Sequence, residues 1–290
     1  MKIVIASGKG GTGKTLVSTN LFHVLIGDPV PVTLVDCDAE EPNDLLFFRG
    51  DRKGVSPVVN LVPVIDTGKC TFCGNCKEYC HYHAIFLVPS AGVIRVMEEL
   101  CHGCGACSVA CLDGVITEKE VSLGVVSHFT IADGASLVEA RVNVGIYSPV
   151  PVISAAIRDA GEEGVILFDA PPGTSCPFIR TVSHADFVVL VTEPTPFGLS
   201  DLRQSVETLK ILGKSCGVIV NRAGLGDREI YGYLKEEGIP LLMEIPFDKT
   251  IAMHYAAGRL IVAEEDAWRE NFLALWNKIL NSYGNSRHQR

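Results

Sequence analysis

Residues 8 to 15 read GKGGTGKT, and they stand between a β-branched run, KIVIAS, and a stretch of helical periodicity over residues 14 to 26. A strand that enters a helix through so bare a loop lets successive backbone N–H groups turn inward. The helix N-terminus behind them adds partial positive charge. Gly8, Gly10, Gly11, Thr12 and Gly13 supply that backbone, Lys14 supplies a full charge, and the Thr15 hydroxyl can bind Mg²⁺. A glycine turn kept only for its shape has no need of Lys-Thr at this offset. The loop predicts a phosphate-binding site at one edge of a sheet.

The rest of the chain supports that sheet. VTLVDCD, GVILFDAP, FVVLVTEP, SCGVIVNRAG and PLLMEIPF are near-continuous apolar runs, the mark of strands covered on both faces. Helical spacing over residues 199 to 212, opened by Ser200, and over 227 to 237 fills the connections. The expected fold class is α/β, a mostly parallel sheet flanked by helices. With 290 residues and 47% hydrophobic content there is ample material for such a core. LGVVSHFTI and SLVEARVNVG, within residues 119 to 148, suggest a hairpin that returns the chain to the sheet.

Between Asp66 and Glu118 the alternation lapses, and eight of the eleven cysteines gather there. Ordinary connections in α/β units run to about 2–6 residues. Residues 66 to 118 are therefore expected to be a small inserted α+β domain, with residues 1 to 65 and 119 to 290 forming a discontinuous main domain. Inside it CxxCxxCxxxC occurs twice, offset by 31 residues. Three thiolates so close in sequence wrap three corners of an iron–sulfur cube, while the fourth points away to a second cube. The expected ligand sets are Cys70, Cys73, Cys76 and Cys111 for one [4Fe–4S] cluster, and Cys101, Cys104, Cys107 and Cys80 for the other. Tetrahedral zinc, the alternative, usually takes paired CxxC groups across a longer spacer.

This segment resembles a bacterial two-cluster ferredoxin, except that His81 and Leu112 stand where that family has proline after each fourth cysteine. His81, His83 and His102 are not needed as ligands once every corner has a thiolate. The segment holds three basic and six acidic residues, a balance suited either to a basic redox partner or simply to solvation.

A second lysine, Lys9, sits near the start of the glycine loop. A loop of this kind resembles the deviant Walker A motif of the MinD/ParA ATPases. The resemblance implies that Lys9 reaches the nucleotide of a partner subunit, so that ATP drives dimerisation, with an identical chain or a related one. It implies further that VDCDAEEPN is a switch segment, in which Asp36 attends Mg²⁺ and Asp38 positions the attacking water. ILFDAPPGT then supplies the Walker B carboxylate, Asp169, and a γ-phosphate sensor, Gly173. Asn221 and Arg222, with Pro246, Phe247 and Asp248, match the loops that contact adenine. No guanine-type signature is present, which favours ATP. The implied catalytic residues are Lys9, Lys14, Asp38 and Asp169.

A net charge of −9 speaks against nucleic acid as a partner. The N-terminal apolar run is too short for a signal peptide, and the expected location is the cytoplasm. Trp268, Phe272, Leu275, Trp276, Ile279 and Tyr283 fall at helical spacing among acidic residues. They are expected to pack on the sheet rather than on a membrane. Cys176 lies seven residues after Asp169, at an offset where the related nitrogenase iron protein binds a cluster, yet a buried free thiol is expected; Cys37 and Cys216 read as core cysteines. The expected function is an ATPase whose dimerisation is coupled to electron transfer or cluster chemistry on an acceptor protein. The alternatives are an iron–sulfur carrier or assembly ATPase, a spatial organiser with a redox-sensing insert, and an amide-forming ligase, for which no glutaminase residues remain.

Overall fold

The computed structural model describes the backbone of residues 1–287 and side chains through Asn285. β1 (Lys2–Ala6) leads through the glycine loop into α1 (Lys14–Leu25), followed by β2 (Val32–Asp36) and β3 (Asp51–Ile65). The cysteine-rich stretch holds α2 (Asn75–Glu78), β4 (Ile85–Val88), β5 (Val93–Val96) and α3 (Ala106–Ala110). After β6 (Ile116–Ala132) and β7 (Ala135–Val142), helix and strand alternate. α4 (Val150–Asp159), β8 (Val165–Asp169), α5 (Cys176–Val182), β9 (Phe187–Thr192) and α6 (Pro196–Ile211) come first. β10 (Cys216–Ala223), α7 (Glu229–Glu237) and β11 (Leu241–Pro246) complete the alternation, and α8 (Lys249–Ala256), α9 (Ile261–Glu264) and α10 (Asp266–Arg287) close it.

Two compact units result: Met1–Ser56, Val126–Arg141 and Pro149–Arg290 form the first, and Pro57–Val125 with Val142–Ser148 the second. The chain crosses from one to the other within β3 and returns within β6.

The sheet of the first unit runs β11-β10-β9-β1-β8-β2-β7, with β6 and β3 beyond β7. β1 lies between β8 and β9, parallel to both, and β2 pairs parallel with β8 and β7. β1 is apolar after Lys2, and Ile3, Val4 and Ile5 are fully buried, as expected of a strand covered on both faces. The register pairs Asp36 with Asp169 across β2 and β8. The α/β expectation and the hairpin both hold; β6 turns into β7 through Gly134, whose φ of +70° suits glycine.

Three local readings change. β3 went unforeseen because most of it is exposed and it carries Pro57 and Pro63, which an edge strand tolerates. α6 begins before Ser200: Thr195 is its cap, accepting the Gly198 N–H at 3.0 Å, with Pro196 at the first helical position. Cys176 is exposed at the start of α5, not buried.

α10 packs as expected, with Phe272, Leu275 and Ile279 in the core and Trp268, Trp276 and Tyr283 partly buried around them. Among the described residues no helix is long and apolar enough to cross a membrane.

In the second unit β4 and β5 form an antiparallel pair, Ile85 opposite Val96. Cys76, Ile85, Leu87, Ile94 and Cys107 make its small core, edged by Ile65, Cys70, Phe72, Cys80 and Ile116. The core is part thiol, so it is poor in the apolar area that holds a small unit together. Because Phe272 anchors α10 in the larger core, Phe272→Ala is expected to lower stability by about 3–5 kcal/mol, measured by urea unfolding.

Candidate functional site

The glycine loop opens on a cavity of about 520 Å³, lined by Gly10, Gly11, Gly13, Lys14 and Thr15 on the side of α1. Asn221, Arg222, Pro246, Phe247 and Asp248 line it from the ends of β10 and β11. This size suits a nucleotide. Gly13 caps α1 with φ +98°, and a Cβ there would strike the Asn221 amide. The same amide donates to the Thr12 carbonyl at 2.7 Å, fixing the loop against β10. The Thr12 hydroxyl is buried without a partner among the described residues.

Asp36 and Asp169 lie beneath the loop, both buried. Thr15 Oγ1 donates to Asp169 Oδ2 at 2.7 Å. Burial raises the Asp169 carboxyl, against the pull of Lys14 and of the Thr15 hydroxyl. Asp36 is raised as well, by burial first and by the charge of Asp169 next. Asp38 lines the cavity, and burial with the charge of Asp169 pushes it up to about 6.

Lys9 does not line the cavity. Its Nζ meets Glu193 Oε2 at 3.3 Å, and Arg222 Nη1 donates to the other oxygen of that carboxylate at 2.6 Å. Glu193 is 7% exposed and sits just past β9, so one buried acid binds two cations, one from the glycine loop and one from the end of β10. Arg222 holds φ +54°, unusual for a side chain of its size.

Gly8 and Gly173 stay outside the cavity; the Gly173 N–H donates to the Ser7 carbonyl at 3.1 Å, tying the Walker B loop to the glycine loop. Asp248 lines the cavity, yet its carboxylate accepts the Thr250 N–H at 2.7 Å as the cap of α8. Sequence reading missed Tyr255 and Ile251, which α8 brings to the wall, and it missed Glu193. The signal for Glu193 was a charge at the end of the apolar run Phe187 to Val191, one threonine beyond it.

The second unit contains two smaller cavities. One is lined by Cys70, Cys73, Cys76 and Cys111, the other by Cys80, Cys101, Cys104 and Cys107. Three backbone N–H groups point at sulfur: Phe72 to Cys70 at 3.4 Å, Ala84 to Cys80 at 3.3 Å and Gly103 to Cys101 at 3.5 Å. Burial raises the thiols of Cys76, Cys101 and Cys107. Any metal entering must therefore displace protons, and loading is favoured by rising pH. Tyr82 and His102 stack beside the second cavity, ring centroids 3.7 Å apart. Among the described residues no three His, Cys, Asp or Glu side chains close on a single metal ion.

The family model described as the CobQ/CobB/MinD/ParA nucleotide binding domain matches residues 3–261. An uncharacterized protein of Methanocaldococcus jannaschii is 31% identical over 271 residues, covering 92% of this chain and 93% of that one. An iron-sulfur cluster carrier protein of the same organism is 24% identical over 269 residues, covering 85% and 72% respectively. Among solved structures, the septum site-determining protein MinD of Pyrococcus horikoshii, complexed with Mg-ADP, matches with a TM-score of 0.59. The identity there is 21% over 98% of each chain, a likeness of fold.

Asp38 has a consequence for pH. Between the ordinary 3.8 and about 6, the folded chain holds this proton more tightly than the unfolded chain does. Stability without nucleotide therefore falls as pH rises through that window and stays reduced above it. Asp38→Asn is expected to raise the Tm at about pH 7.5 and to lose that gain below about pH 4, checked by thermal unfolding of nucleotide-free protein.

Proposed function

We propose that this chain, which belongs to the CobQ/CobB/MinD/ParA nucleotide-binding family, is an ATPase whose nucleotide cycle is coupled to electron delivery from its cysteine-rich unit to an acceptor protein. The observation that carries the reading is the pair of thiol cavities, each lined by three cysteines of one repeat and the last cysteine of the other. That donor set fits iron–sulfur cubes better than zinc, because a cube spaces its thiolates further apart than one tetrahedral ion does.

On this reading the backbone of residues 10 to 13 and Lys14 hold the ATP phosphates, and Asn221, Arg222 and Phe247 border the base. Mg²⁺, held at Thr15 and Asp169, would neutralise phosphate charge. Asp38 orients the attacking water from the cavity wall. Lys9 leaves Glu193 when two chains pair, placing its charge on the nucleotide of the partner subunit, where negative charge builds during phosphoryl transfer.

Cys70, Cys73, Cys76 and Cys111 would hold one [4Fe–4S] cluster, and Cys80, Cys101, Cys104 and Cys107 the other. Such clusters supply one-electron transfer. The N–H groups of Phe72, Ala84 and Gly103 favour added negative charge on the sulfurs they face.

A second reading, a cluster carrier, draws on the relative of that name and on the exposed Cys176. Rapid ATP-stimulated transfer of iron–sulfur to an apo-ferredoxin, abolished by Cys176→Ser, would favour it over the first.

The primary test is an anaerobic redox titration followed by EPR, with and without ATP. Midpoint potentials are expected to move with nucleotide, and ATP affinity is expected to differ between oxidised and reduced protein, since coupling is reciprocal in binding; turnover is followed in both states. Potentials indifferent to ATP, with turnover blind to reduction, would sink the coupling.

Two variants sharpen the assignment. Lys9→Ala is expected to cut turnover about a thousandfold or more while the monomer keeps its ATP affinity, measured by steady-state kinetics and equilibrium binding. Cys76→Ser is expected to lower iron from about eight to about four atoms per chain after anaerobic reconstitution, with Cys216→Ser as the unaffected control.

A further inference from the structure

The two cysteine repeats build the same turn and brace it differently. In each, the residue two places after the first cysteine holds a left-handed backbone, Phe72 at φ +55° and Gly103 at φ +62°. Its N–H points at the sulfur of that cysteine, Cys70 in one repeat and Cys101 in the other. Phenylalanine adopts this conformation at a cost, and its ring packs against the small core of the unit. Glycine adopts it freely but has no side chain to hold the turn in place.

The brace for the second turn comes from outside both repeats. Asn60, on β3, donates its side-chain N–H to the Cys101 carbonyl at 2.8 Å. Oδ1 of the same amide stands where a Cβ at Gly103 would fall, so residue 103 is glycine both for its backbone and for the room it leaves. Asn60 is half-buried, and β3 belongs to the second unit from Pro57 onward, so brace and turn lie in one compact body. The spacing of the cysteines carries no sign of it, since Asn60 lies before Cys70 and away from either motif.

We infer that Asn60 is a positioning residue for the cluster held by Cys80, Cys101, Cys104 and Cys107. By fixing the Cys101 carbonyl and backing Gly103 it aims the Gly103 N–H at the Cys101 sulfur, and so raises that cluster's reduction potential. This rests on reading the thiol cavities as iron–sulfur sites. A hydrogen bond to a ligating sulfur favours the reduced cluster, which carries more negative charge, and groups that orient the ligands tune the metal they surround. Without the brace a glycine turn is free to swing that N–H off the sulfur.

Each cluster is read alone by EPR-monitored redox titration of the anaerobically reconstituted full chain. A Cys76→Ser background leaves the cluster beside Asn60, and a Cys107→Ser background leaves the other. Asn60→Ala is expected to lower the midpoint potential in the Cys76→Ser background by about tenfold in the one-electron equilibrium constant, about 59 mV. The potential in the Cys107→Ser background is expected to stay where it was. Gly103→Ala keeps Asn60 but drives a Cβ onto its amide. It is expected to move the same potential in the same direction, and it supplies the readout should Asn60→Ala not hold its cluster.

If neither variant moves the potential beside Asn60, or if both backgrounds shift alike, the inference is overturned and Asn60 only braces a loop. A wild-type chain that takes up no iron on reconstitution instead removes the iron–sulfur reading, and this inference with it. Loaded wild-type protein, with a fall in potential confined to the Cys76→Ser background, supports both.

Discussion

The parallel ladder between β2 and β8 sets Asp36 directly opposite Asp169 at the carboxyl edge of the sheet, and the site follows from that pairing. Strands buried on both faces cannot slide without exposing apolar side chains or stranding ladder hydrogen bonds, so the register is strongly held. Two acids are thereby buried together whatever their mutual repulsion. β1, one strand further across, ends at the glycine loop and delivers Lys14, itself only 7% exposed, to the same place. The position of the positive charge and of the acids is thus a property of the sheet, while the loops only aim them.

Glu193 extends the same logic to the other side of β1. It stands past the end of β9, is buried, and holds both Lys9 and Arg222. Lys9 belongs to the glycine loop and Arg222 to the end of β10, so one carboxylate ties the phosphate side of the cavity to its base side. A buried acid that lost either cation would be left partly uncompensated, and removing one partner of a buried pair is costly because of the charge left behind. The arrangement withstands the departure of one cation better than a simple pair would, since Arg222 remains on Oε1 when Lys9 leaves Oε2. A lysine that must change partners in the proposed cycle needs a counter-ion of this kind.

The sequence made the parallel strands legible because burial on both faces leaves an unbroken apolar signature, and it made the glycine loop legible because bare backbone there has few other uses. It hid what depends on edges and on single buried charges. β3 lacks a clean alternation because most of its side chains face solvent and proline interrupts it. Asp44 stands in a short turn where acids are commonplace, and nothing in ProAsnAsp separates a solvated acid from one with no exposed surface. Cys176 looked like a core thiol by type, since free cysteine is usually buried; its place in the first turn of a short helix put it outside. Grouping the cysteines by repeat would join each set of four within its own motif, whereas each cavity takes its fourth cysteine from the other repeat.

The two units share an electrostatic character. Each buries acids in one small volume: carboxyls in the first, thiols in the second, with burial the leading cause of their raised pKa values. Across the chain acidic residues outnumber basic ones, 34 to 25, for a net charge of −9. On the proposed reading, cations that bind these groups only in the folded chain would stabilise it, so part of their binding free energy would appear as folding free energy. The thiol-lined unit depends on this more, because its apolar core is small and two of the five buried side chains in it are cysteines. The first unit has a large apolar core and can tolerate strained acids at one edge. On the proposed reading, loss of the clusters would loosen the unit whose small core is part thiol, whereas the first unit, with its large apolar core, would keep its fold without its divalent cation.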